Sequence, residues 1–229
     1  MPARSHFDGP WKEALERYFP QFMALVWPRV HAEIDWQHAH RFLDKELRVV
    51  APRGGGGARH VDKLVRVRRL GGACAEDLWL LIHVEVQGRH SAEFARRMFE
   101  YHARLHMAHG DVESLAVLLQ GTPAGTRAAV PHGHGFPVAG CLAYCTTGHS
   151  RLGFEFPVVQ LAQWRDHRPA LEAAARDNPF AVIILAQLQA IASRDGEARL
   201  AGKTALMRLM YDYGYRERDV LGLFRLLDW

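Results

Sequence analysis

Four residues can do chemistry together if their spacing is read as strand: His83, Glu85 and Gln87 alternate with apolar residues, and Asp62 sits in a similar run upstream. Leu80, Ile82, Val84 and Val86 occupy the even positions, so period-two geometry sends His83, Glu85 and Gln87 to the opposite face. In the earlier run Val61, Val65 and Val67 share a face with Lys63, leaving Asp62 and Arg66 on the other. Should the two runs pair with those faces matched, Asp62 and Glu85 converge. Two carboxylates on adjacent strands suit Mg²⁺, a hard cation that takes oxygen ligands and keeps waters for a substrate phosphate. Such an ion polarises a phosphodiester and lowers the pKa of a bound water. Gln87, whose amide both donates and accepts, is then placed to orient that water. The spacing alone leaves a second reading open, in which Asp62 and Glu85 lie on a solvated sheet face paired with Arg66 or Lys63.

The elements that must position these residues follow from the same pattern. Leu15, Phe19, Phe22 and Val26 have helical spacing across Trp11 to Trp27, with Pro20 as a first-turn residue of a second helix. His38 to Leu47 reads as helix, and Pro52 with Gly54 to Gly57 forces a flexible connection. Arg59 to Arg69 and Leu78 to Gln87 read as an antiparallel hairpin turned near Gly71 and Gly72. Ser91 is placed to cap a helix from Ala92 to about His109, with Glu93 in its first turn and Gly110 as its stop. Glu113 to Leu119 and Leu152 to Val159 read as strands on either side of a Gly-, Pro- and His-rich stretch, and the chain is helical from Arg168 onward. The order indicates an α/β or α+β protein.

Several blocks then carry a resemblance: VDKLVRVRRL, LWLLIHVEVQGRH and FARRMFEYHARL, with IDW and FLDKEL upstream and NPFAVIILAQLQ downstream. In that order they resemble the recombination-promoting nuclease / putative transposase family of the PD-(D/E)XK superfamily, from about Trp11 to the end. The resemblance implies an α/β fold with an αβββαβ core, a mixed central sheet flanked by helices, over residues 1–165, and a helical C-terminal extension over 166–229. It implies a Mg²⁺-dependent DNA endonuclease, with Mn²⁺ as an alternative ion, linked to recombination or mobile elements. Asp62 and Glu85 would bind the metal, and Gln87 takes the place of the superfamily's lysine. Arg97 and Tyr101 belong to a recurring block and are expected as phosphate-binding or supporting groups. Of Asp44 and Glu46, expected at the end of a preceding helix, Glu46 is the preferred additional metal carboxylate.

A net charge of +4 and a pI near 9.1 are compatible with a phosphate-binding protein without requiring one. Arg66, Arg68 and Arg69 with Lys63 are candidates to draw in a DNA backbone, though alternating exposed charge explains them equally well. Three cysteines (Cys74, Cys141 and Cys145) cannot all pair within one chain, and no charged-then-apolar leader opens the sequence, so a cytoplasmic setting is expected. The apolar run Phe180 to Ala192 is too short for a bilayer and is expected as a buried helix, so no membrane partner is expected. His132, His134, Cys141, Cys145 and His149 fit no common zinc spacing. Apolar stripes in Ala201 to Tyr211 and Arg216 to Leu226 are expected against the core or a second copy, which would make a homo-oligomer. Two rival functions remain at this point: a DNA-binding transposase remnant without turnover, and an oligomeric interaction protein.

Overall fold

A computed structural model describes residues 8–45, 60–71, 79–89, 93–120, 140–146, 152–193 and 195–226. Helix α1 (Asp8–Val26) is two helical pieces in series: Tyr18 leaves helical geometry at φ −129° and ψ 33°, and Pro20 opens the second piece, where its missing N–H costs nothing. The short α2 (Pro28–Ala32) follows. Next come β1 (Arg41–Phe42), β2 (His60–Arg68), β3 (Trp79–Arg89), α3 (Phe94–His109) and β4 (Val112–Gln120). Beyond them lie β5 (Gly140–Cys145), β6 (Gly153–Gln160), a 3₁₀ turn (Leu161–His167) and the helices α4 (Arg168–Ala174), α5 (Pro179–Ala192), α6 (Gly196–Asp212) and α7 (Glu217–Leu226).

The strands form one mixed, open sheet in the order β1-β2-β3-β4-β6-β5. The β1-β2, β2-β3 and β5-β6 pairs are antiparallel, and β3-β4 and β4-β6 are parallel. Helix α3 makes the crossover between the parallel strands β3 and β4, as a parallel connection requires. The protein is therefore α/β. Its two sheet faces are both covered. On one, Val65, Val67, Ile82, Val84, Val86, Val117 and Val159 join Phe19 and Phe22 of α1 and Phe180 to Leu188 of α5 in a single buried cluster. Leu206, Met210, Val220, Leu223 and Leu226 of α6 and α7 belong to that same cluster. On the other face, Phe94, Met98, Tyr101 and Leu105 of α3 pack on Leu64, Leu81, Ala116, Leu118 and Val158.

Helix α5 is buried from Phe180 to Leu188, as its composition leads one to expect, and it starts where the Asn178 side chain accepts the Phe180 N–H at 2.9 Å. No helix among the described residues is long and apolar enough to cross a membrane. Two segments differ from the sequence expectation. The helix expected from His38 to Leu47 is not continuous over its described part: Asp44 and Lys45 are helical, but Arg41 and Phe42 pair antiparallel with Arg66 and Val65, because the open edge of β2 satisfies their backbone groups better than an isolated helical turn would. Within the stretch expected to be irregular, Gly140 to Cys145 forms an edge strand on β6. At α3 the helix starts at Phe94 with Glu93 as its cap residue, whereas Ser91 and Ala92 lie outside the described residues. Gly110 ends that helix at φ 89°, a conformation open to glycine and strained for other residues.

Candidate active site

The site is built on β3. The β2-β3 register opposes Asp62 to Glu85, Leu64 to His83 and His60 to Gln87. On its other side β3 sets Ala116 against Glu85 and Ser114 against His83. His83, Glu85 and Gln87 thus line the α3 face of the sheet, but that face is not solvated. All three are buried, with Glu85 0% exposed.

A buried carboxylate needs positive charge or hydrogen bonds, since desolvation otherwise costs several kcal/mol. Arg97, one turn into α3, supplies both. Its Nε donates to Glu85 Oε1 at 3.1 Å, its Nη2 donates to the same oxygen, and Nη2 also donates to Gln87 Oε1 at 2.8 Å. The Arg97 side chain is 17% exposed and lies over the Phe94 ring, 5.5 Å from its centroid. One guanidinium therefore gathers the carboxylate and the amide oxygen of β3 on a single positive charge. An all-oxygen set converging on a cation is the donor chemistry a hard divalent ion takes. Glu85 Oε1 and Gln87 Oε1 are donors of the kind that Mg²⁺ or Mn²⁺ takes.

Two residues before Glu85, the fully buried His83 lies against Tyr101, with ring centroids 5.0 Å apart. Among the described residues neither of its ring nitrogens has a hydrogen-bond partner. Burial, then the nearby His102 and Arg97, pushes its pKa down to about 3, so the ring is neutral. His102 of α3 is also held below the usual histidine range, by burial and then by His106, and its Nδ1 lies 3.1 Å from Ser114 Oγ. Parity puts His83 on this face, yet the sequence offers no sign of the Tyr101 contact or of the Ser114–His102 pair.

The other expected residues are distributed as follows. Arg97, Phe94, Met98 and Tyr101 share one face of α3, as their spacing implies, and that face packs on the sheet. Arg66 is half-buried on β2, opposite Leu81 and Arg41. Asp62 is described here by its backbone register, and Glu46 lies outside the described residues, as do Cys74, His132, His134 and His149. Asp44 lies two residues beyond β1 and binds Lys63 Nζ at 2.5 Å, with Glu16 of α1 as that ammonium's second partner. Lys63, 2% exposed, therefore does not join Arg66, Arg68 and Arg69 in a basic surface, because its position among Val65 and Val67 turns it toward α1. Arg68 and Arg69 bind locally, Arg68 Nη1 at 2.7 Å from His38 Nε2 and Arg69 Nη2 at 3.4 Å from Glu33. Among the described residues no group of three or more His, Cys, Asp or Glu side chains could hold a metal ion.

The chain matches no family model, no curated protein and no solved structure. Its function must therefore be argued from the site: a buried acid on a central strand, an aspartate opposed to it in register, an amide two residues on and an arginine that joins acid to amide.

Proposed function

We propose that this chain is a metal-dependent DNA endonuclease of the PD-(D/E)XK type, akin to the recombination-promoting nuclease / putative transposase family. One observation carries the reading: the antiparallel register opposes Asp62 to Glu85, while Gln87 follows two residues later on the same buried face. The order α1, β1, β2, β3, α3, β4, with the short α2 after α1 and a helical stretch at Asp44 and Lys45 between β1 and β2, agrees with the αβββαβ core that the resemblance implies.

In this reading Asp62 and Glu85 hold the divalent ion, with Glu46 as a further carboxylate. When bound, Mg²⁺ or Mn²⁺ would supply Lewis-acid polarisation of the phosphodiester and a more acidic water. Gln87 orients the attacking water through its amide. A glutamine carries no charge for the transition state, and the Arg97 guanidinium beside it supplies the cation that the superfamily places on its lysine. Arg66 and Arg97 would meet the DNA phosphates, and Tyr101 supports the site from behind by packing on His83. DNA is the proposed partner and the cytoplasm the proposed setting. A second copy of the chain is a further proposed partner, consistent with exposed Leu200 and Tyr211 on α6 and Leu221 on α7.

The decisive experiment incubates supercoiled plasmid with the purified protein and Mg²⁺, Mn²⁺ or EDTA, beside Asp62→Ala and Glu85→Ala. Nicking that needs the metal and disappears in both variants is the expected result. Equal activity in the variants would refute this site. The second reading, a DNA-binding remnant without turnover, draws on Arg97 already neutralising Glu85. It is the conclusion if the protein binds DNA yet cuts it with neither metal.

A further inference from the structure

We infer that Arg97 is an exchangeable internal counter-ion, which closes the Glu85–Gln87 oxygen pair in the metal-free protein and yields it when a divalent cation binds. The inference rests on the proposed metal site and adds a role for this arginine that differs from a standing phosphate contact.

The argument starts from burial. A carboxylate without solvent, such as that of Glu85, must be compensated at all times or it takes up a proton. Arg97 provides the compensation in this structure, through two nitrogens on Oε1. The same Nη2 reaches Gln87 Oε1, so the guanidinium engages both β3 oxygens, whose residues would help to hold the ion. A guanidinium and a divalent ion on the same carboxylate repel each other, and in a partly desolvated site that repulsion is only weakly screened. The arginine is free to answer it. Its backbone is fixed one turn into α3, but its long side chain is partly exposed and rests on the Phe94 ring face, a surface along which a guanidinium can slide while it remains attracted. Once displaced, it carries its charge toward solvent, where a phosphodiester would arrive. The exchange keeps Glu85 compensated in both states and delivers the second cation only after the first ion is in place.

Two consequences are measurable without turnover. First, removing the Arg97 charge removes a competitor. Mn²⁺ binding, followed by the electron paramagnetic resonance of the free ion at pH 8 without DNA, should tighten roughly tenfold or more in Arg97→Met, the worth of one charge-assisted contact. Arg97→Lys, which keeps the charge and loses the fork, should fall between it and the wild type. Glu85→Gln should abolish binding in each background. Equal or weaker Mn²⁺ affinity in Arg97→Met, with binding intact in the wild type, overturns the exchange and leaves the metal site standing. Absence of Mn²⁺ binding in every protein up to roughly millimolar concentration overturns both. Second, the wild type can be examined directly should Arg97→Met fail to fold. In ¹⁵N spectra the Arg97 Nε–H signal, assigned from its loss in Arg97→Lys, should shift and lose protection from solvent exchange as Mg²⁺ is added. A stationary, protected Nε–H while the Glu85 amide responds to Mg²⁺ refutes the exchange.

Discussion

His83 offers a test of the site's interior that does not depend on any activity. In the folded protein its pKa is pushed down to about 3 from an ordinary 6.5, chiefly by complete burial. The unfolded chain therefore takes up a proton that the folded chain refuses over the range between those two values. The associated stability is fully present above about pH 6.5 and is lost as the pH falls, until the loss levels off near pH 3. Each unit of pH inside that window is worth about 1.4 kcal/mol. Between pH 7.5 and pH 5 the linkage for one such histidine comes to about 2 kcal/mol. The perturbation is His83→Leu, similar in volume and unable to titrate. Urea unfolding of both proteins at several pH values gives the two slopes, and their difference cancels the carboxylates and histidines common to both. Glu113, whose pKa burial raises, works in the opposite sense and cancels as well. The wild type should lose about 2 kcal/mol more than His83→Leu on going to pH 5. Parallel slopes, within about 0.5 kcal/mol, would mean that His83 is solvated or paired in solution and that the face behind Glu85 is not the dry interior described above.

Further expectations concern how the elements around the site are held. Lys63 is buried while its partners Glu16 and Asp44 are 52% and 35% exposed, so the two sides of the contact are unequal. Glu16→Gln with Asp44→Asn strands the ammonium and should cost about 3 kcal/mol, whereas Lys63→Met leaves an exposed Glu16 and a partly exposed Asp44 and should cost less, about 1–2 kcal/mol; urea titrations showing the reverse order would reject this account. Trp11 Nε1 donates at 3.0 Å to Gln187 Oε1, both side chains being buried, and so ties α1 to α5. Trp11→Phe should cost about 2–3 kcal/mol by orphaning that oxygen and leaving a void, and Gln187→Leu added to it should restore part of the loss; additive costs in thermal unfolding would count against the pairing.

Strand parity was the most legible feature of the sequence. Val65, Val67, Ile82, Val84 and Val86 mark one face unambiguously, and the matched register of Asp62 and Glu85 follows from hiding all of them on the same side. The burial of the opposite face was not legible. His83, Glu85 and Gln87 look like the solvated side of a sheet because the residues that cover them come from α3, and the charge that makes their burial tolerable, Arg97, is twelve residues from Glu85. Lys63 hides for the same reason, since Glu16 lies forty-seven residues away. Strand β1 escaped because two residues are too few to show a period, and β5 because its glycine- and proline-rich surroundings suggest a loop while its order comes from β6.

The alternation along β3 also makes the site a form of error detection for the folding chain. A slip of one residue between β2 and β3 would oppose Asp62 to an apolar neighbour and deliver valines to α3 in place of the acid that Arg97 binds. Such a hairpin could not close without stranding Arg97 in front of hydrocarbon. The ionic contact and the valine face thus reject the same mistake from opposite sides of the sheet, and a single-residue deletion inside either strand should be far more damaging than most substitutions at the site itself.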